Sequence, residues 1–265
     1  MAMPIFAPGD DPGSSFPELL RRIGAAAPTP SGAHDALGAV PHATTCVAMR
    51  YEDGVVMAGD RRATAGNLIS HRSMEKVVEA DRFSGVAIAG AAGPAMEMVR
   101  LFQLQLEHYE KVEGASLSLE GKANQLSMMV RGNLQSAMMG LAVVPIFAGF
   151  DERRGRGRLW DFDVTGGRYE EREFVATGSG SLHAGTVVKL GWRPELDRDA
   201  AVDLACRALW EAADADSATG GPDVLRGIYP VIATITAEGW SRLDDEDLAA
   251  RYERLAVDLR RGQHA

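Results

Sequence analysis

The order of the predicted elements constrains the fold most, because two groups of strands bracket two consecutive long helices. Strands are predicted at residues 44–51, 55–58, 85–91, 143–150, 158–164, 173–177 and 229–236. Helices are predicted at residues 93–113, 118–139, 181–190, 200–213 and 246–260. A parallel doubly wound sheet needs strict alternation of strand and helix. The pattern therefore favours an α+β fold of mainly antiparallel sheets covered by helices.

Charge and cysteine usage exclude several classes of function. The 265 residues include 37 acidic and 28 basic side chains, a formal net charge of −9, which argues against nucleic acid or an anionic membrane as partner. No apolar run approaches the roughly 18 residues that a membrane helix needs. The two cysteines, Cys46 and Cys206, have no metal or redox spacing and favour a reducing, cytoplasmic setting. We expect Cys46 to be a small core residue.

Residues 1–43 differ from the rest of the chain, since they hold seven of its twelve prolines. A secretory signal is rejected because Asp10 and Asp11 come early and Pro and Gly interrupt any apolar core. Two interpretations stay open on composition alone. The segment is either a disordered tail or a removable pro-segment.

The sequence does not match the common catalytic and binding motifs. The loop at 178–181 has His183 where a dinucleotide loop needs glycine, and no phosphate loop or nucleophile elbow occurs. The histidines show no zinc-type pairing. The basic cluster at 153–158 is interpreted as a solvated hairpin tip.

Several blocks remain that no packing rule requires. They are Thr44-Thr45, Gly54-Val55-Val56, Gly59 to Thr64, Gly66-Asn67, Glu75-Lys76, Ile88-Ala89-Gly90, Gly178 to Ser181, and Asp216 to Asp223. In this order and spacing they resemble the catalytic β-subunits of actinobacterial proteasome core particles, over about residues 41–239. The resemblance implies a four-layer αββα sandwich, the fold of N-terminal nucleophile hydrolases.

The resemblance divides the chain into a pro-segment at 1–43 and a catalytic domain at 44–265. Cleavage between Ala43 and Thr44 would free the Thr44 amine, and Thr44 would act as nucleophile with that amine as base. A free α-amine has a pKa of about 7.7–8.0, so it can accept a proton near neutral pH. The family usually has glycine where this chain has Ala43, so processing is expected either to continue more slowly or to be blocked.

Further roles follow from the resemblance. Lys76 would place a cation near the Thr44 hydroxyl, and Asp60 would hold Lys76. The Gly90 N–H would be the oxyanion donor. The polar residues that orient Thr44 and its amine would be Ser179, Asp216 and Thr219.

The resemblance also implies substrate-binding positions. Thr64 would pair with the backbone of an extended peptide. An apolar pocket, suggesting cleavage after hydrophobic residues, would be formed by Ala63, Met74, Ile88 and Ala92.

The implied assembly is a 28-subunit α7β7β7α7 barrel of this chain with proteasome α-subunits, fed with tagged (pupylated) proteins by an ATPase unfoldase ring. The predicted helices at 93–113 and 118–139 are candidates for subunit contacts. No metal or organic cofactor is implied. Three alternatives remain: a two-ring threonine peptidase without α-subunits, a noncatalytic ring subunit, and an amidase acting on small amides.

Overall fold

The computed structural model describes residues 44–65 and 68–262. Its strands are β1 (Thr45–Tyr51), β2 (Gly54–Gly59), β3 (Ala63–Ala65), β4 (Leu68–His71), β5 (Val77–Asp81), β6 (Ser84–Gly90), β7 (Val143–Asp151), β8 (Arg156–Phe162), β9 (Arg168–Glu171), β10 (Phe174–Gly178), β11 (Val231–Thr236) and β12 (Gly239–Arg242). Its helices are α1 (Ala92–Glu113), α2 (Leu119–Gly132), α3 (Leu134–Met138), α4 (Ser181–Gly191), α5 (Arg198–Ala215) and α6 (Asp245–Gly262). The predicted pro-segment, including Ala43, and the pair Gly66-Asn67 lie outside the described residues.

Within the described residues, the strands form two five-stranded antiparallel sheets and one small hairpin. The first sheet has the order β10-β1-β2-β11-β12, and the second has the order β5-β6-β7-β8-β9. Strands β3 and β4 form the hairpin. The mainly antiparallel arrangement predicted from the element order is confirmed.

Alternate residues of the central strands pack into different cores, which defines four layers. In β1, Val47 and Met49 pack with residues of α4, α5 and α6, whereas Cys46 and Ala48 pack with residues of the second sheet. On the far face of the second sheet, Phe147 packs with residues of α1 and α2. Because both faces of each sheet are covered, the central strands are apolar almost throughout. The αββα sandwich is confirmed.

The single helix predicted at 118–139 is wrong, because the structure divides it at Asn133. Gly132 is a poor helix former and ends α2. The Asn133 side-chain amide donates to the Leu141 carbonyl at 3.2 Å, so it competes with helical hydrogen bonding. The five-residue helix α3 follows the break. None of the described helices is both long and apolar enough to cross a bilayer.

The solvated hairpin tip predicted at 153–158 is wrong for Arg158. The side chain of Arg158 is only 4% exposed. It donates two hydrogen bonds of 2.7 Å to the Glu170 carboxylate and one of 3.0 Å to Asp151, and it lies 4.6 Å from the Trp160 ring centre. The bonds to Glu170 raise the pKa of Arg158, against the opposing effect of burial. This arginine is therefore a buried structural residue.

Candidate active site

Thr44 lies immediately before β1 and is buried. Its carbonyl oxygen accepts a hydrogen bond of 2.8 Å from the Ser179 N–H, and the Ser179 hydroxyl lies 3.3 Å from the same oxygen. Gly178 makes this approach possible, since a Cβ there would lie 1.9 Å from the Thr44 carbonyl oxygen. The loop after β10 thus holds the beginning of β1.

Asp60 lies at the end of β2 and is fully buried. One carboxylate oxygen accepts hydrogen bonds from the Thr45 N–H at 2.8 Å and from Lys76 Nζ at 2.7 Å. The other accepts from the backbone N–H groups of Arg62 and Gly220, both at 2.9 Å. Burying a carboxylate is costly unless charge pairing and hydrogen bonds compensate it. Four donors do so here, and one of them is the amide of the residue after Thr44.

Lys76 comes directly before β5, and its side chain is 1% exposed. Besides Asp60, its ammonium donates to the Arg62 carbonyl oxygen at 2.5 Å. Cys46 lies close by, and burial raises the pKa of its thiol to about 12 although the Lys76 ammonium opposes this. Cys46 is therefore a neutral thiol packed between the two sheets.

A second polar group surrounds the Asp216 carboxylate, at the end of α5. One carboxylate oxygen accepts from the Ser179 hydroxyl at 2.5 Å and from the Thr219 hydroxyl at 2.6 Å. The other accepts from the Ala218 N–H at 3.1 Å. Burial alone would raise the pKa of Asp216, but these hydrogen bonds lower it below its usual range. Asp216 is therefore an anion at neutral pH.

Thr45 connects these two groups, and it was not among the predicted site residues. Its backbone N–H donates to Asp60, whereas its hydroxyl lies 2.6 Å from the Thr219 hydroxyl and accepts from the Gly180 N–H at 3.0 Å. A sequence signal was present. Strand alternation puts Thr45 on the same face as Val47, so a buried hydroxyl in need of partners could have been expected.

Gly90 ends β6 with φ of +111°, a region that side chains disfavour. A Cβ there would lie 2.1 Å from the Ala142 carbonyl oxygen. That oxygen also accepts a hydrogen bond of 2.8 Å from the Ala91 N–H. Glycine is thus required here by the local backbone.

The predicted substrate-binding residues lie on several different elements of the fold. Ala63 and Thr64 belong to β3, Ala92 begins α1, and Met74 comes two residues before Lys76. Thr64, Met74 and Ala92 are partly exposed, whereas Ala63 is buried. Ile88 is also buried and packs into the core between the second sheet and helices α1 and α2.

One continuous hydrogen-bonded network thus contains Thr44, Asp60, Lys76, Ser179, Asp216 and Thr219, with Thr45 joining its two halves. It combines a buried cation, two carboxylates and several hydroxyl groups beside the beginning of one strand, a composition suited to proton transfer and to stabilising charge. Within residues 44–65 and 68–262, no group of three or more His, Cys, Asp and Glu residues is placed to hold a metal ion.

Comparison with known proteins identifies the family. A family model described as "Proteasome subunit" matches residues 40–225. "Proteasome subunit beta" of Acidimicrobium ferrooxidans is 60% identical over 260 residues, covering 98% of this chain and 93% of that protein. "Proteasome subunit beta" of Jonesia denitrificans is 55% identical over 216 residues, covering 82% of this chain and 72% of that protein. Since the family model spans well over half of the chain, this protein belongs to the proteasome subunit family.

Proposed function

We propose that this chain is the catalytic β-subunit of a proteasome core particle and acts as a threonine endopeptidase. The observation that carries the proposal is the Asp60 carboxylate, one oxygen of which binds both Lys76 Nζ and the Thr45 N–H. This pairing keeps a buried ammonium next to the residue that follows Thr44. A noncatalytic ring subunit would have no need of such a costly buried arrangement.

The reaction begins once the Ala43–Thr44 bond has been cleaved and the Thr44 amine is free. The neutral amine takes the proton from Thr44 Oγ1 as that oxygen forms a bond to the substrate carbonyl carbon. The resulting oxyanion collapses, the peptide C–N bond breaks, and the ammonium returns the proton to the departing nitrogen. Water then cleaves the ester that remains, with the same amine accepting its proton, and restores the Thr44 hydroxyl.

The surrounding residues support these steps. The Lys76 ammonium favours loss of the Thr44 hydroxyl proton, and the ion pair with Asp60 holds Lys76 in place. The Gly90 N–H stabilises the oxyanion. On the other side, Ser179 holds the Thr44 carbonyl, and the Asp216 anion orients the freed amine.

The substrate is an unfolded polypeptide in extended form. The backbone of Thr64 pairs with it as an added strand. The pocket for its side chain is apolar and favours cleavage after hydrophobic residues; its lining residues are Ala63, Met74, Ile88 and Ala92.

The chain acts as part of a larger enclosed particle. We assign it to the two inner rings of an α7β7β7α7 barrel, beside proteasome α-subunits and fed with tagged proteins by an ATPase ring. Enclosure suits a protease of broad specificity, because only unfolded chains then reach Thr44. Both cysteines are buried free thiols, which fits the proposed cytoplasmic location.

Hydrolysis of a fluorogenic peptide with a hydrophobic residue before the scissile bond tests the proposal. The chain is assembled with its α-subunit, and the wild type is compared with Thr44→Ala. We expect hydrolysis by the wild type and loss of hydrolysis in the variant. No activity in either particle would favour a noncatalytic ring subunit, and equal activity in both would exclude Thr44 as the nucleophile.

Processing is tested separately by the intact mass of the assembled chain. We expect loss of residues 1–43, since alanine is the smallest replacement for the glycine that usually precedes the nucleophile. A chain that stays full length after assembly would show that Ala43 blocks maturation.

A further inference from the structure

Thr45 has a buried hydroxyl with partners on two different loops. Its side chain is fully buried, as is that of Thr219. The atoms form a row from the Gly180 N–H to Thr45 Oγ1 at 3.0 Å, to Thr219 Oγ1 at 2.6 Å and to the Asp216 carboxylate at 2.6 Å. Both hydroxyl–oxygen distances are in the usual range for hydrogen bonds between oxygen atoms.

The direction of each hydrogen bond in this row follows from the chemistry of the groups. An ionised carboxylate only accepts, so the single hydroxyl proton of Thr219 points to Asp216. Thr219 Oγ1 must then accept from Thr45, whose own proton is used in that bond. Thr45 Oγ1 in turn accepts a hydrogen bond from the Gly180 N–H. Each hydroxyl therefore donates once and accepts once, and the row runs in one direction.

The backbone of the same residue is held from the other side. The Thr45 N–H donates to Asp60, and its carbonyl oxygen accepts a hydrogen bond of 3.1 Å from the Asp60 N–H. The Asp60 carboxylate also binds Lys76. Thr45 thus links the Asp60–Lys76 pair to the group around Asp216, in addition to the Gly220 N–H that donates to Asp60 from the residue after Thr219. Thr44 is the covalent neighbour of Thr45.

We propose that Thr45 is a positioning residue for the nucleophile, and that its hydroxyl is needed to hold Asp216, Thr219 and Ser179 in register with Thr44. This inference rests on the proposed function. Its physical basis is that the removal of the hydroxyl leaves its buried partners without a hydrogen bond. Those partners must then either stay unsatisfied, which is costly, or move. Small displacements of catalytic groups lower the rate strongly, even when substrate still binds.

The test compares Thr45→Val with Thr45→Ser in the assembled particle. Valine keeps the branched shape but removes the hydroxyl, whereas serine keeps the hydroxyl. Peptide hydrolysis is measured over a range of substrate concentrations, and rates are divided by the fraction of chains that begin at Thr44 by intact mass. For Thr45→Val we expect kcat to fall about ten-fold, equivalent to about 1.4 kcal/mol, with KM within two-fold. Thr45→Ser should retain at least half of the wild-type kcat.

Thr234→Val is the matched control. Thr234 is also buried in the first sheet, where it pairs with Val56, which in turn pairs with Met49 of β1. Met49 is four residues beyond Thr45, or roughly 13 Å along the strand. Removing this hydroxyl should leave kcat within two-fold of the wild type, so a loss specific to Thr45 would not reflect buried hydroxyls in general.

Each outcome bears on the inference. It is overturned if Thr45→Val keeps a wild-type kcat, if serine is as impaired as valine, or if the control loses as much activity. If Thr45→Val does not assemble, Thr219→Val breaks the same row from its other end and must show the same ten-fold loss, and an unimpaired Thr219→Val overturns the inference. A wild-type particle without Thr44-dependent hydrolysis refutes the proposed function, and this inference with it.

Discussion

Replacing Asp60 by asparagine removes one charge from the centre of the site and changes its shape very little. The carboxylate accepts two donors on each oxygen: Thr45 N–H and Lys76 Nζ on one, and the N–H groups of Arg62 and Gly220 on the other. An asparagine offers one accepting oxygen and one donating NH2 group. In either orientation, the NH2 group faces two donors. The substitution therefore takes the acceptor away from two donors, although Lys76 keeps its bond to the Arg62 carbonyl and the Arg62 N–H is only partly buried.

The expected cost follows from that count. A buried donor left unpaired costs about 1–3 kcal/mol, so with one or two donors affected the free energy of unfolding falls by about 1–6 kcal/mol. Lys76 also loses its buried counterion. If about 2.7 kcal/mol of this loss is expressed in the transition state, kcat/KM falls about 100-fold. The assay is peptide hydrolysis by the assembled, processed particle, together with its thermal unfolding.

Asp223→Asn serves as the control for this substitution. Asp223 accepts a hydrogen bond of 2.7 Å from Arg226, but the arginine side chain is 57% exposed. Exposed pairs contribute about 1 kcal/mol or less, so the control should change kcat/KM by less than two-fold. An assembled Asp60→Asn particle with wild-type kcat/KM and unfolding temperature would refute the reasoning about Asp60.

Three further predictions concern individual side chains. Gly90→Ala should lower kcat/KM at least about ten-fold, because its Cβ would lie 2.1 Å from a carbonyl oxygen. Gly93→Ala, which meets nothing within 4 Å, should be neutral, and a neutral Gly90→Ala would contradict the account. Cys46 should resist alkylation at pH 8 in the native particle and react after denaturation, since burial raises the pKa of its thiol to about 12; mass mapping that finds native Cys46 labelled would disprove this. Arg158→Met should lower the free energy of unfolding by about 1–3 kcal/mol in chemical denaturation, since it removes the cation from a buried ion pair. The loss stays this small because the Glu170 carboxylate is partly exposed and regains water. Its kcat should stay within two-fold, and unchanged stability would show that the buried arginine contributes nothing.

The central strands could be predicted because their own residues carry the signal. β1, β2 and β6 are short apolar runs bounded by turns, and each became a strand buried on both faces. Asp60 follows β2 and could be singled out together with Lys76, because both lie in blocks that resemble a family motif. The four-layer arrangement could be predicted only from the family resemblance, because the periodicity of the sequence does not show which sheet packs against which.

Several strands were missed for a physical reason. β5, β9 and β12 lie at sheet edges, and β9 has the sequence RYEE, with three of its four residues exposed. Such strands gain their hydrogen bonds from a neighbouring strand rather than from an apolar pattern of their own. The break at Asn133 was missed similarly, because its side chain bonds to a carbonyl eight residues away.

Thr45 shows the limit of local sequence reasoning in the site. Its hydroxyl partner, Thr219, is 174 residues away in the chain. Alternation along β1 predicts that the hydroxyl is buried, but not which group it meets. The connection between the two halves of the site could therefore be found only once the fold was known.

The most direct measurement of the central claim is the site of covalent modification by an electrophile that acylates hydroxyl groups, such as a β-lactone. The assembled particle is treated, digested and mapped by mass spectrometry. The account predicts one acyl group, on a peptide whose first residue is Thr44, and none in Thr44→Ala. An adduct on another residue, or an active particle in which Thr44 still follows Ala43, would contradict it.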